Sequence, residues 1–140
     1  MTRGSGSDAN PLDGCRIYVG IELRDGRVAW LDARVNQPIA QQPVPAVSSV
    51  IVRSGRISGC ETARRAVAAL SGLAVHRSAD EAAQISATDL LRTLEAQAHV
   101  DPASERCILT AIGALRSALI DAHVTALAEA TVERKKLTIR

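Results

Sequence analysis

The apolar pattern of this chain changes period once, near residue 60, and that change restricts its architecture more than any other feature. Upstream, Ile17-Tyr18-Val19-Gly20-Ile21-Glu22-Leu23 and Val28-Ala29-Trp30-Leu31-Asp32-Ala33-Arg34-Val35 are rich in strand formers and flank Asp25-Gly26. Two such runs joined through Asp-Gly predict a β-hairpin. Val47-Ser48-Ser49-Val50-Ile51-Val52-Arg53 reads as a third strand, after a loop from Asn36 to Pro45 that holds Pro38, Pro43 and Pro45. From Cys60 onward the spacing becomes helical. Strands followed by helices predict an α+β fold, a small antiparallel three-stranded sheet with helices packed on one face.

Ala63, Val67, Leu70 and Ala74 mark the apolar face of the first helix. Ser78 and Glu81 have capping-box spacing, and Thr88-Asp89 can open a further helix with Leu90, Leu91, Leu94 and Ala98 inward. Asp101-Pro102 suits the start of a last helix, with Ile108, Ile112, Leu115 and Leu119 inward and an expected end near Glu133. The polar segment 1–14 reads as a flexible leader, and 15–133 as a single domain. With 140 residues, one domain can bury roughly 70% of the surface its unfolded chain exposes. The chain has no Phe, one Trp and one Tyr, so its core must be built from Ala, Val, Leu and Ile. Small side chains let helices and sheet approach closely.

Scarcity of aromatics also argues against recognition of nucleic acid by base stacking. A net charge of +2 gives no phosphate-tracking surface, and the basic stretch Glu133-Arg134-Lys135-Lys136 reads as a solvated end. No run approaches the ~18–20 consecutive apolar residues that span a bilayer, and the first ten residues carry no secretory pattern. Three widely spaced cysteines suit a reducing compartment better than a disulfide-stapled scaffold, so the cytoplasm is expected. His76, His99 and His123 read as structural or solvated residues.

No catalytic set is visible, neither a Gly-rich phosphate loop nor HExxH nor CxxC. The positions of the cysteines carry what chemistry there is. Cys15 precedes the first predicted strand, Cys60 follows Gly59 where a helix begins, and Cys107 lies in the first turns of the last helix. Helix N-termini favour anions and so stabilise thiolates. With Asp13, two residues before Cys15, three sulfurs and a carboxylate form a donor set suited to zinc or an iron–sulfur cluster. Spacing alone favours the plainer reading, three small buried hydrophobes.

The chain resembles the U-type iron–sulfur cluster assembly scaffolds, IscU and the N-terminal domain of NifU, over roughly residues 10–35 and 58–122. The likeness lies in Gly59-Cys60, Asp80-Glu81-Ala82, Thr88-Asp89-Leu90, Cys107-Ile108-Leu109 and Ala114-Leu115-Arg116-Ser117-Ala118, and in Asn10-Pro11-Leu12-Asp13-Gly14-Cys15 against a family pattern Asn-Pro-x-Cys-Gly-Asp. It implies a SufE/NifU-like fold, a non-enzymatic scaffold role, and a site of Asp13, Cys15, Cys60 and Cys107 for an iron–sulfur cluster or zinc. Cys107 is the implied sulfur acceptor. At the N-terminal motif the ligand types are exchanged: Asp13 stands where the family has Cys, and Cys15 where it has Asp. A cysteine desulfurase, a client apoprotein and a second copy of the chain are the implied partners, with no nucleic acid or membrane.

The chain departs from that pattern at four places. Arg106 replaces the family's His, and residues 36–58 read as an insertion. The chaperone-docking motif is reduced to Val100-Asp101-Pro102-Ala103-Ser104, and Glu61-Thr62-Ala63-Arg64-Arg65 puts charge beside the site. These departures keep a second function open, a non-catalytic accessory module for maturation of a larger metalloenzyme. An enzyme with a nucleophilic cysteine ranks last, because no His neighbours Cys60 or Cys107.

Overall fold

The structure is a computed structural model that describes residues 1–11, 14–36, 59–100 and 105–138, with the side chains of 59–60 and 135–138 left undescribed. Three strands, β1 (Thr2–Ala9), β2 (Arg16–Arg24) and β3 (Arg27–Asn36), form an antiparallel sheet in the order β1-β2-β3. Four helices follow among the described residues: α1 (Gly59–Ala74), α2 (Ala79–Ala83), α3 (Ala87–Glu95) and α4 (Glu105–Thr138). The α+β architecture agrees with the periodicity.

The β2–β3 hairpin closes through Asp25 and Gly26, whose φ angles of 54° and 75° suit the two-residue turn that matches strand twist. Ile17, Val19 and Ile21 point inward, as alternation requires. A register shift opposite Glu22 and Leu23 leaves Ala29 as the extra residue of β3. Val28 and Leu31 thereby both face the core, while Trp30 turns to solvent. Trp30 and Tyr18, the chain's two aromatics, both lie exposed on the open face of the sheet.

One sequence expectation is corrected here. Segment 1–14 is not a loose leader: Thr2–Ala9 is an edge strand paired with β2 along its whole length. Among the described residues the sheet's third strand is therefore N-terminal, and the expected strand over 47–53 lies outside the described residues. The reason is steric. Gly4 and Gly6 are inward positions of β1, opposite Ile21 and Val19, and they rest directly on the backbone of α4 at Ser117, Ala118 and Ala122. A methyl group at either glycine would overlap that backbone. Gly113 completes the contact, since a side chain there would collide with the Asp8 carboxylate. Composition that reads as a linker is here the condition for close strand–helix approach.

The outer edge of β1 is also partly satisfied, because the Ser5 N–H donates to the Asp121 carboxylate on α4 at 2.8 Å. At the other edge, the segment after α1 lies along the start of β3. The His76 N–H donates to the Val28 carbonyl and the Val28 N–H to the Arg77 carbonyl, at 2.7 and 2.8 Å. His76 takes φ 75° to make that turn. Glu22, on the open face, is buried between Arg3 and Arg24, with ion-pair distances of 3.4 and 3.1 Å.

Above the sheet, Ala63, Ala66, Leu70 and Ala74 of α1, Leu90 and Leu94 of α3, and Ile108, Ala111, Ile112, Leu115 and Leu119 of α4 close the core. Ala98, expected inward, falls beyond the end of α3 and is exposed. Ser78 caps α2 by accepting the Glu81 N–H, as its spacing predicts. At α3 the cap is Ser86 rather than the expected Thr88: Ser86 and Asp89 form a reciprocal capping box. Over Glu105–Arg134, α4 is long and apolar enough to cross a membrane by length and composition, yet 56% of its most apolar window is buried, as befits a core helix.

Two predictions follow from this packing. Gly6→Val should destabilise the protein by about 1–3 kcal/mol through overpacking against α4, read as a lower denaturant midpoint at unchanged m-value. The second concerns pH. Hydrogen bonds from Ser78 hold the Glu81 carboxyl below its ordinary range, and bonds from Ser86 do the same for Asp89. Groups with depressed folded pKa add stability above the unfolded carboxylate range, about pH 4, and lose it as pH falls through the folded value. Ser78→Ala, which removes the hydroxyl chiefly responsible at Glu81, should therefore lower stability at pH 7 and flatten its decline between about pH 5 and pH 2.

Candidate functional site

The turn that joins β1 to β2 is closed by backbone bonds around Asn10. Its N–H donates to the Cys15 carbonyl and its carbonyl accepts the Gly14 N–H, both at 2.8 Å. Gly14 takes φ 73°, a left-handed conformation that glycine adopts without strain. These bonds set Cys15 immediately before β2, where it is 2% exposed.

Across the sheet end stands the first turn of α4. Cys107 is the third residue of that helix and is 1% exposed. Its sulfur lies at the end where unpaired backbone N–H groups give a helix its positive pole. The Asn10 side-chain amide donates to the Cys107 Sγ at 3.6 Å, a contact between residues 97 positions apart. Asn10 itself is 3% exposed. One buried residue thus ties the Cys15 turn by its backbone to the Cys107 sulfur by its side chain.

Of the four expected ligands, Cys107 meets the Asn10 side chain through its sulfur, and Cys15 meets the Asn10 backbone through its carbonyl. Asp13 lies outside the described residues. Cys60 is the second residue of α1, in the helix-start position that its Gly-Cys context predicts, but its side chain is not described. Among the described residues no three His, Cys, Asp or Glu side chains converge to hold a metal ion. His76, His99 and His123 are all exposed.

Cys15 is disulfide-bonded, whereas Cys107 keeps its thiol. A sulfur held in a disulfide has no thiolate to give, so Cys15 can ligate only after two-electron reduction.

The charge expected beside the site is partly drawn elsewhere. Arg65 Nη2 donates to the Leu94 carbonyl at 3.0 Å, tying α1 to the C-terminal end of α3, where a cation complements the helix dipole. Arg65 Nη1 is buried and has no hydrogen-bond partner among the described residues. Glu105 and Arg106 remain exposed at the entrance to α4.

Asn10 was not among the residues singled out by donor chemistry, because an amide is neither a soft ligand nor a nucleophile. The available signal was its place in the Asn-Pro pair before Asp13 and Cys15. No protein-family model matches the chain, and no curated protein is significantly similar to it.

Thiol labelling checks the two cysteine states. In denaturant without reductant, iodoacetamide should modify Cys107 and spare Cys15; after reduction it should modify all three cysteines. In the native protein, Cys107 should react at least tenfold more slowly than in denaturant, because its sulfur is buried.

Proposed function

We propose that this chain is a divergent U-type iron–sulfur assembly scaffold that holds a metal ion or nascent cluster as cargo through thiolates at one end of its sheet. The observation that supports this most is the Asn10 bridge. It brings Cys15 and Cys107, far apart in sequence, to the same buried end of the fold. The donor set fits the cargo, since soft sulfur ligands select zinc and iron–sulfur clusters. Asp13 and Cys60 complete the set on this reading.

The chemistry assigned to each residue follows from its place. Cys107, at the positive end of α4, is the sulfur acceptor. Its thiolate attacks the terminal sulfur of a desulfurase persulfide, forming a persulfide on Cys107 and releasing the desulfurase thiolate. Cys15 joins as a ligand once its disulfide is reduced, which a reducing cytoplasm supplies. A client apoprotein then takes the cargo, and a second copy of the chain could share it.

A second reading is an accessory module on the same fold that makes contacts and carries no cargo. The Cys15 disulfide favours it, because it removes one thiolate from the donor set.

Anaerobic reconstitution separates the two. Reduced protein supplied with zinc, or with iron and sulfide, should retain about one metal site per chain or per dimer, seen by metal analysis and, for a cluster, by visible absorption. Cys107→Ser and Cys15→Ser should each abolish retention. Fully reduced, folded wild-type protein that leaves the column free of metal would establish the accessory reading instead.

A further inference from the structure

We propose that the open face of the sheet binds single-stranded nucleic acid, with Tyr18 and Trp30 as platforms for bases and the arginines around them on the phosphates. The inference is independent of the cargo-binding reading and departs from the expectation of no nucleic-acid partner. Two aromatics in a whole chain are few for base stacking, but here one sheet face holds both.

Alternation along the strands turns Ile17, Val19 and Ile21 to the core, and so turns Arg16, Tyr18, Gly20 and Glu22 outward. Strand pairing lines up Ser7, Tyr18 and Arg34 in one row and Arg3, Glu22 and Trp30 in another, with Gly20 between them. Tyr18 and Trp30 are thus four residues apart along the strand direction, ~13 Å at ~3.3 Å per residue. That offset sets them under different bases of one strand. Each ring borders its own hollow: about 830 Å³ beside Tyr18 and about 450 Å³ beside Trp30. Gly20 leaves the floor between them without a side chain, and Trp30 leans over it, its Cζ3 4.0 Å from where a Cβ would stand. The rings remain 44% and 53% exposed.

Charge on this face favours an anion. Among the described residues Arg3, Arg16, Arg24 and Arg34 stand against two acids, Glu22 and Asp32. The Glu22 side chain is only 11% exposed, whereas those of its partners Arg3 and Arg24 are 80% and 61% exposed. Arg34, paired with Asp32 at 3.5 Å, is 81% exposed. The buried carboxylate anchors two cations, while three guanidinium groups face water with donors to spare, five N–H bonds to a group.

Planar forks that match phosphate oxygens, interleaved with exposed rings, are what a single strand requires. Every base has a π face, so two platforms on a flat sheet hold a strand with little regard to sequence. An acidic peptide would engage the arginines and leave both rings with nothing planar to stack on.

Titration with fluorescein-labelled oligouridylate and oligothymidylate, followed by anisotropy and by Trp30 emission, tests the proposal. Trp30 is the chain's one tryptophan, so its emission reports on one platform alone. The expected result is saturable binding at low salt with quenching of Trp30. Affinity should fall with salt at a log–log slope of about −0.7 for each phosphate engaged, and Arg34→Gln should shrink that slope by about 0.7. Tyr18→Ala should weaken binding about 5–150-fold, and Tyr18→Phe should restore it. Circular dichroism checks that these variants of exposed side chains are folded. Binding of one oligonucleotide alone assigns RNA or DNA, and binding of both assigns either strand. Failure of the wild type to bind both would overturn the proposal. So would binding that leaves Trp30 unquenched, or that is equally tight in folded Tyr18→Ala, since charge alone would then account for it.

Discussion

Direct backbone contact between β1 and α4 is the constraint on which the rest of the structure depends. Gly4 and Gly6 have no Cβ to hold the strand away, so it settles on the Ser117–Ala122 stretch of the long helix. That contact fixes where β1 ends, and so where the Asn10 turn begins. It also brings the Ser5 N–H to the Asp121 carboxylate, which closes part of an otherwise open strand edge. With β1 displaced, the Cys15 turn would lose its registration against the first turn of α4. The Asn10 turn is therefore secured by the same helix-on-strand contact.

The fold was legible where one physical signal dominated. Asp25-Gly26 between two β-branched runs could hardly be anything but a hairpin, because its positive φ angles match the twist of paired strands. Helical spacing in Ala63, Leu70, Ile108 and Leu115 survived into the core because each faces the sheet. Where two signals competed, the reading failed. Residues 4–7 read as Gly-Ser-Gly-Ser, the composition of a flexible linker, and nothing local reveals that a helix more than a hundred residues away requires exactly such an absence of side chains. Strand β1 was missed for that reason. Likewise Thr88 and Ser86 are both capable caps, and only the path of the chain from Ile85 selects Ser86.

The site was half legible. Cys15 and Cys107 were chosen for their chemistry, and both lie buried at one end of the fold. Asn10 could not be chosen that way, since its importance comes from geometry. A buried amide aimed at a sulfur is visible only when β1, its turn and α4 are assembled. The disulfide at Cys15 was equally out of reach, because sulfur oxidation state depends on neighbours in space and not on spacing in the chain. The same atom can be a ligand or half of a disulfide.

The most direct measurement of this account is native-state hydrogen exchange of the β1 amides paired with β2. If the glycine contact secures β1 against α4, those amides should open with free energies close to those of Ile108–Leu119 in the core of α4. Exchange of β1 at rates near those of an unstructured chain, while α4 stays protected, would contradict it.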